Sequence, residues 1–297
     1  MPFLAQLRND SLYYPYTLSY HSGGGTSDCD FAILNSVEPL RTASVFFEDR
    51  YTYPNSVVKV LRGAGYGAYA FHGNAITCWG RNRAYPRMGY SDFFDLVQME
   101  LAEQGWGAPD GAVFDFSATY TLRCKPPFFA HLITMSSHYP YNSVERYHPN
   151  ELGDIPGEPL TSRHFNSMNY VDTCLRKLVT ELRLRNDGYI LIVGDHTPPK
   201  LNSSYLRAPK LSVGGAVLEF VPLFILGPGV KPRWEVGTVA SFLDLALTLL
   251  ALSGVSCTYA TSGIDLSAPP AVLPPIRFDN KAYSRRELFK LCETSLP

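Results

Sequence analysis

This sequence has no excess of charge of either sign and no basic run. Its 297 residues include 26 Lys and Arg against 27 Asp and Glu, and nowhere do Lys and Arg cluster. Nucleic-acid binding needs basic side chains gathered on one face, so the charge pattern gives no indication of a nucleic-acid partner. Hydrophobic residues make up 45% of the chain and charged residues 18%, which excludes disorder and a coiled coil.

Long hydrophobic runs and paired cysteine motifs are also missing. The longest apolar stretch, residues 239–252, is interrupted by Asp244 and is shorter than the roughly 20 residues of a membrane span, so it predicts a buried helix. Residues 1–8 lack the basic flank and apolar run of a signal peptide, and we expect no export or anchoring signal in the chain as given. The six cysteines show no C-x-x-C spacing, which argues against a zinc ribbon or a thioredoxin-type site.

What is present is an alternation of helix and strand patterns. The sequence predicts a short helix over residues 55–64 and a strand over 66–71. The apolar run 128–134 has the length of a buried parallel strand. Apolar residues at helical spacing predict a long helix over 163–184, and a strand follows at 189–193. The pattern is typical of an α/β domain whose ligands bind beyond the carboxyl ends of the strands.

Polar clusters follow three of these predicted strands. They are His-Gly-Asn at 72–74, Ser-Ser-His at 136–138 and Gly-Asp-His at 194–196. We therefore expect chemistry at one edge of the sheet. The division that we predict is a catalytic α/β domain over residues 1–202 and a C-terminal part over residues 203–297, which completes the sheet and forms a small α+β subdomain with antiparallel strands.

Three glycines directly precede Thr26, and apolar residues at helical spacing follow it. Glycine allows close backbone approach, and the free N–H groups and dipole at the start of a helix favour an anion. A nucleophilic hydroxyl beside an anion site suits phosphoryl transfer. The alternative is a glycine-rich turn in which Thr26 or Ser27 caps the helix. No Lys follows the last glycine, so the segment is not a Walker A loop.

Asp195 and His196 directly follow a predicted strand. A carboxylate and an imidazole at a strand end suit a divalent cation such as Mn²⁺, Mg²⁺ or Zn²⁺, which would lower the pKa of a bound hydroxyl and neutralise phosphate charge. The alternative is a turn that carries a surface histidine.

Other candidates have structural alternatives as well. Arg81 can grip a phosphate or form a surface ion pair, and Trp79 can line a head-group site or belong to the core. His138 can donate to a substrate oxygen or be a satisfied loop histidine. We expect His131 to belong to the core and Cys29 to be a packing residue.

Five motifs in one order resemble the lipoteichoic acid synthase-like phosphoglycerol transferases of the alkaline phosphatase/sulfatase superfamily. The similarity runs over about residues 1–197, and residues 221–229 are similar to a later strand and turn of the superfamily. The motifs are Ser-Gly-Gly-Gly-Thr-Ser-Asp at 22–28, Phe-His-Gly-Asn at 71–74, Trp-Gly-Arg at 79–81, Ile-Thr-Met-Ser-Ser-His-Tyr-Pro at 133–140 and Gly-Asp-His at 194–196.

The resemblance implies a fold, a reaction and a set of site residues. The fold would be a central, mostly parallel sheet with helices on both faces. The enzyme would move phosphoglycerol from phosphatidylglycerol to an envelope glycan or polymer, outside the cytoplasm, through a covalent threonine intermediate. One divalent cation, with Mn²⁺ favoured over Mg²⁺ or Zn²⁺, would be the cofactor. The implied roles are nucleophile and metal ligand for Thr26, metal ligands for Asp195 and His196, and substrate contacts for His138, Trp79, Arg81, Asn74 and His72.

The sequence departs from the family at two points. The family often has Asp where Asn74 stands, which bears on its substrate contact. The family also has a metal-binding Glu at the end of a first core strand that precedes the segment resembling residues 1–4. We expect a transmembrane region, that strand and that Glu to precede Met1 in the complete protein, because a parallel sheet without its first strand exposes an apolar surface. The alternative is a chain that lacks one ligand.

Other functions are compatible with parts of the pattern. A sulfatase would need Arg where the Cys-Lys-Pro-Pro-Phe segment 124–128 has Phe128, so we reject that activity. A phosphodiesterase or a phosphoethanolamine transferase differs mainly in head group and acceptor. A non-catalytic binding module that lacks the upstream Glu is the alternative from a different class.

Overall fold

A computed structural model of the chain describes residues 1–201 and 210–295. The helices in these residues are α1 (Pro2–Leu7), α2 (Thr26–Asn35), α3 (Val57–Gly63), α4 (Arg81–Met88), α5 (Asp110–Arg123), α6 (Pro159–Arg185), α7 (Phe242–Leu252) and α8 (Arg285–Thr294). The strands are β1 (Leu12–Ser19), β2 (Gly67–His72), β3 (Asp92–Phe94), β4 (Phe128–Ile133), β5 (Ile190–Val193), β6 (Lys210–Val213), β7 (Ala216–Leu226), β8 (Arg233–Trp234), β9 (Ala240–Ser241), β10 (Ile276–Phe278) and β11 (Lys281–Tyr283). The predicted domain boundary at residues 202–203 lies outside the described residues.

The largest sheet has six strands and is mixed. Its main path is β5-β7-β1-β8, with β6 paired to β7 and β9 paired to β1. β7 runs antiparallel to β1, β5 and β6, whereas β8 and β9 run parallel to β1. Because β1 and β5 are both antiparallel to β7, they point the same way. Their carboxyl ends, which lead to Thr26 and to Asp195, therefore lie at the same edge of the sheet.

A second sheet holds three parallel strands in the order β3-β2-β4. β4 is parallel as predicted, but the expectation that it is fully buried is wrong, because each of its residues is half-buried. Within the described residues β4 pairs only with β2, and β5 pairs only with β7. Each of these strands thus has one edge without a hydrogen-bonded neighbour.

Helices cover both faces of the strands. Alternate residues of β1 point to opposite faces: Tyr14 packs in one cluster with α2 and α7, and Tyr13 packs in another with Val179 of α6. The same three helices also reach the second sheet, where Leu178 of α6 packs with Leu132 of β4 and Phe31 of α2 packs with Ala70 of β2. The predicted α/β fold with helices on both faces is confirmed. The six-stranded sheet is mixed because of the antiparallel β7.

Asp244 has a structural role in the apolar stretch 239–252. The first part of this stretch forms β9, and α7 begins at Phe242 with a capping box in which the side chains of Ser241 and Asp244 accept reciprocal backbone hydrogen bonds. Asp244 also accepts two hydrogen bonds of 2.7 Å from the buried Arg285. In the described part of the chain, no helix has the length and apolar character needed to cross a membrane.

Candidate active site

The structure brings Thr26, Asp195 and His196 together. The Thr26 hydroxyl donates a hydrogen bond of 3.2 Å to Oδ2 of Asp195. Nε2 of His196 lies 3.2 Å from the same oxygen. Thr26 follows β1, and the acid and imidazole follow β5, so the parallel direction of these two strands accounts for the meeting. The residues are separated by about 170 positions in sequence and converge on one carboxylate oxygen.

The glycine turn leaves the Thr26 hydroxyl free for this contact. Gly25 is the N-cap of α2, with φ of 56°, and no side chain caps this helix. Ser27 donates to the carbonyl of Gly24 at 2.6 Å, and Asp28 accepts from the N–H of Gly24 at 2.8 Å. The alternative in which Thr26 or Ser27 caps the helix is therefore not what the structure shows. The turn is held by Ser27 and Asp28, while Thr26 points to Asp195.

Trp79 lies against this turn. A Cβ atom built on Gly25 would be 2.9 Å from the Trp79 ring, and the positive φ of Gly25 also disfavours a side chain. Both observations require glycine before Thr26. They also place the indole of Trp79 beside the first residue of α2.

The two oxygens of Asp195 have different environments. Oδ1 accepts a 2.8 Å hydrogen bond from the backbone N–H of His196, which leaves Oδ2 to face Thr26 and His196. The backbone carbonyl of Asp195 accepts hydrogen bonds from the hydroxyl of Ser19 and from the buried thiol of Cys29, the latter at 3.3 Å. These contacts fix both ends of the acid.

His21 contacts His196, and Glu219 contacts the neighbours of His196. Neither His21 nor Glu219 was predicted as a site residue. The rings of His21 and His196 are stacked with centroids 4.1 Å apart. Nδ1 of His21 lies 3.8 Å from Oε2 of Glu219, which also accepts hydrogen bonds from the N–H and hydroxyl of Thr197 at 3.1 and 2.9 Å. Lys210 lies 2.6 Å from the other oxygen. Glu219 thereby fixes Thr197, which follows His196, and the His21 ring, which stacks on His196.

Glu219 is ionised in this environment. Burial alone would raise its pKa, but hydrogen bonds from His21, Lys210 and Thr197 outweigh burial and lower the pKa to about 2. The signal in the sequence is a lone carboxylate within the apolar strand pattern of residues 216–226.

The loop that carries His138 is held by Asp110 at the start of α5. The carboxylate accepts hydrogen bonds from the N–H groups of Met135 at 2.7 Å and Ser136 at 3.1 Å, and the Ser136 hydroxyl accepts from the N–H of Asp110 at 3.0 Å. Burial raises the pKa of Asp110 to about 6 despite these contacts. His138 itself is exposed, and its Nδ1 lies 2.6 Å from the carbonyl of Tyr139, which leaves Nε2 facing outward.

Asn74 makes its hydrogen bonds to neighbouring backbone. Its amide nitrogen donates to the carbonyl of Trp106 at 2.7 Å, and its amide oxygen accepts from the N–H of Ala75 at 2.6 Å. The indole of Trp106 is stacked on the His138 ring with centroids 4.9 Å apart. The substrate contact predicted for Asn74 stays a prediction, and the contact that the structure shows is with the loop of Trp106.

Arg81 is a buried ion-pair residue rather than a surface one. Its side chain is 1% exposed, and Nη2 and Nε lie 2.7 and 3.1 Å from Oδ2 of Asp30. Tyr85 shares the same carboxylate oxygen at 3.1 Å. His131, predicted to be in the core, is half-buried, with 18% of its side chain exposed, and is hydrogen-bonded to Tyr90 at 2.9 Å. The phosphate contact predicted for Arg81 stays a prediction.

His72 is buried as well. Its Nδ1 lies 3.3 Å from the carbonyl of Ile133, and its Nε2 has no hydrogen-bond partner in the described structure. Burial, with repulsion from Arg81, lowers the pKa of His72 to about 3, so the ring is neutral at neutral pH. Its substrate contact also stays a prediction.

Comparison with known proteins places the chain in a family. Residues 1–255 match the model of the protein family described as Sulfatase. The chain belongs to the Sulfatase family. Lipoteichoic acid synthase 2 of Bacillus subtilis is 31% identical over 280 residues, which cover 89% of this chain and 43% of that protein. The chain thus spans less than half the length of this curated relative.

Solved structures agree with the Sulfatase-family fold. The crystal structure of the lipoteichoic acid synthase LtaP from Listeria monocytogenes has a TM-score of 0.75 at 19% identity, with 100% of this chain and 86% of that chain covered. The Streptococcus pyogenes phosphoglycerol transferase GacH, in complex with sn-glycerol-1-phosphate, has a TM-score of 0.61 at 19% identity, with 85% and 67% covered. The expected resemblance to lipoteichoic acid synthase-like members of the alkaline phosphatase/sulfatase superfamily is confirmed.

The spacing of the donor atoms in this site suits one divalent cation, although the described residues supply only part of a ligand set. Ligands that each lie about 2.1 Å from a cation are about 3.0 to 3.4 Å from one another. The separations of 3.2 Å from Asp195 Oδ2 to Thr26 Oγ1 and to His196 Nε2 are in this range. Across residues 1–201 and 210–295, no group of three or more His, Cys, Asp or Glu side chains is arranged to hold a metal. The set is therefore two such ligands, Asp195 and His196, and the Thr26 hydroxyl.

Proposed function

We propose that the chain is the catalytic part of a metal-dependent transferase. It moves a phosphoglycerol group from phosphatidylglycerol to an envelope glycan or polymer through a covalent intermediate on Thr26. The observation that carries the proposal is the convergence of the Thr26 hydroxyl and His196 on one oxygen of Asp195, at 3.2 Å each. The names of the Bacillus subtilis and Streptococcus pyogenes proteins, a lipoteichoic acid synthase and a phosphoglycerol transferase, support this reaction class.

The first half of the reaction forms a bond from Thr26 Oγ1 to phosphorus and breaks the bond from phosphorus to the diacylglycerol oxygen. The Thr26 hydroxyl, which donates to Asp195, gives up its proton to solvent before the new bond forms, so the Asp195 carboxylate stays available as a metal ligand. The outward-facing Nε2 of His138 is in our proposal the donor that protonates the leaving diacylglycerol. In the second half, an acceptor hydroxyl gives its proton to His138 and attacks the phosphorus, the bond from phosphorus to Thr26 breaks, and Oγ1 takes a proton from solvent.

Thr26, Asp195 and His196 would hold the cation, for which Mn²⁺ is favoured over Mg²⁺ and Zn²⁺. When bound, a divalent cation lowers the pKa of a coordinated hydroxyl and offsets phosphate charge. The protein's own part is to fix the donors: Ser19 and Cys29 hold the Asp195 carbonyl, and the His21 ring supports His196. Such outer contacts orient the ligands and are as necessary as the ligands themselves.

A further carboxylate is part of the proposal. We infer that it is the Glu expected from an additional core strand outside residues 1–297. In support, β4 and β5 each have one edge without a strand partner in the described structure, and residues of α6 pack on both strands. One parallel strand inserted beside them would end near Asp195. Because phosphatidylglycerol head groups and envelope glycans meet outside the cytoplasm, we place the reaction there, in association with the membrane.

Replacement of Thr26 by Ala tests the assignment of the nucleophile. We expect hydrolysis of a fluorescent phosphatidylglycerol, measured with Mn²⁺ present, to fall by about a thousandfold or more, because the attacking oxygen is removed. Circular dichroism is expected to stay unchanged. Thr180→Ala is a matched control, since Thr180 is an exposed residue of α6 whose hydroxyl bonds only the Arg176 carbonyl. Equal hydrolysis by the Thr26 and Thr180 variants would refute the nucleophile. Absence of divalent-cation binding by a protein extended to include the additional strand would favour the binding-module alternative.

A further inference from the structure

Trp106 is an exposed aromatic side chain beside the candidate active site. Its indole is 51% exposed, although burial of a tryptophan is strongly favourable. It lies in the connection between β3 and α5, and one side of the ring stacks on His138, with centroids 4.9 Å apart and planes at 29°. The indole is therefore held next to a residue of the site and is still open to a ligand.

The backbone around Trp106 is held in place on both sides. Its N–H donates to the hydroxyl of Ser143 at 3.2 Å, and its carbonyl accepts from the amide of Asn74 at 2.7 Å. A Cβ atom on Gly105 would lie 2.4 Å from the Ser143 hydroxyl. A Cβ atom on Gly107 would lie 2.4 Å from the carbonyl of Gly73, which is in the loop after β2. Only glycine fits at either flank, so the exposed indole stands on a fixed backbone.

We propose that the face of the Trp106 indole that His138 leaves open is a stacking platform for the ring of a sugar acceptor. The inference rests on the proposed transfer reaction and adds to it the class of acceptor and the residue that selects it. A sugar ring has an apolar face of C–H groups that packs on an indole, and hydroxyl groups at its rim that need hydrogen-bond partners.

The surroundings favour a sugar over a lipid surface. An indole that inserts into a membrane is usually part of an apolar face with further exposed hydrophobic residues. Trp106 instead stands between two glycines, and the residues before them are Glu103 and Gln104. Its partners Asn74, Ser143 and His138 are polar. A site of this composition orients a polar ring rather than an acyl chain.

Binding of a neutral sugar tests the platform directly and needs no turnover. Methyl glucoside is titrated into the intact chain and followed by saturation-transfer NMR, with Trp106→Ala and Trp106→Phe as variants. The control is Trp234→Ala, because Trp234 is similarly exposed, at 46%, and packs instead on Tyr13 and Arg8. We expect about a tenfold loss of affinity in Trp106→Ala, partial recovery in Trp106→Phe, and no change in the control. Circular dichroism checks that each variant is folded.

The same variants are then compared in the transfer reaction. We expect Trp106→Ala to lower the ratio of transfer to hydrolysis about tenfold. This ratio compares two fates of one intermediate, so it does not depend on the rate at which the donor is consumed. Equal sugar binding by all variants, or no saturable binding by the unaltered chain, would overturn the platform. Loss of binding to phosphatidylglycerol vesicles in Trp106→Ala, with sugar binding intact, would replace it by a membrane contact. Failure of the proposed function has a different signature, namely no donor consumption with sugar binding unchanged.

Discussion

Glu219 offers a quantitative test of how the site is held. Replacement by Gln keeps the shape of the side chain but removes the charge that faces Lys210, Thr197 and His21. Against an ordinary value of 4.5, the pKa of about 2 corresponds to about 3 kcal/mol of stabilisation of the charged form. The Glu219 side chain is only 10% exposed, but Lys210 is 49% exposed, so solvent screening reduces this to about 1 to 2 kcal/mol.

The pH dependence follows from the direction of the shift. The pKa of Glu219 is lowered on folding, so its contribution is fully present above the unfolded value of 4.5 and is lost as the pH falls from 4.5 towards 2. Urea denaturation at pH 7 should therefore show Glu219→Gln to be less stable than the unaltered chain by about 1 to 2 kcal/mol. The difference should shrink steadily below pH 4.5.

A matched control separates this effect from a general loss of charge. Glu145 pairs with Arg163 at 2.8 Å, but both side chains are about half exposed, and such surface pairs contribute little. Glu145→Gln should change the free energy of unfolding by less than about 0.5 kcal/mol at any pH. The reasoning is refuted if Glu219→Gln behaves like Glu145→Gln at pH 7, or if its deficit does not depend on pH between 4.5 and 2.

Two further substitutions test the metal ligand and the loop of His138. His196→Ala should weaken Mn²⁺ binding at least tenfold, as measured by calorimetric titration, and an unchanged titration would count against its ligand role. Asp110→Ala should lower the free energy of unfolding in urea by about 2 to 3 kcal/mol, because it leaves the buried N–H groups of Met135 and Ser136 without their acceptor. A loss below about 0.5 kcal/mol would contradict the role of Asp110 in holding that loop.

Local patterns were sufficient for the elements that frame the site. Residues 128–134 predicted a parallel strand, and β4 is parallel to β2. The Asp-His pair was found because functional side chains follow strand ends. The glycine turn was found because three glycines precede a hydroxyl at the start of a helix pattern, and the structure joins Thr26 to Asp195. The direction of β7 was less accessible, since a continuous apolar run does not distinguish a parallel from an antiparallel neighbour.

Residues with distant partners were missed or misjudged. Glu219 receives its partners from three separate segments, so its position within an apolar strand says little alone. For Arg81 the alternatives were a phosphate contact and a surface ion pair, and its buried pair with Asp30 was missed because that partner lies 51 residues away on α2. Trp106 sits in a Gly-Trp-Gly turn, and sequence does not show that this turn is tied to Asn74 and Ser143. In each case tertiary contact, not local pattern, sets the role.

The central claim is that the hydroxyl beside Asp195 becomes covalently linked to the transferred group. Mass spectrometry of the peptide containing Thr26, after incubation of the intact chain with phosphatidylglycerol and Mn²⁺, examines this bond itself. We predict a peptide heavier by one glycerophosphoryl group, with the fragment ions placing it on Thr26. Donor consumption with an unmodified Thr26 peptide in acid-quenched early time points, or an adduct on another residue, would contradict the account.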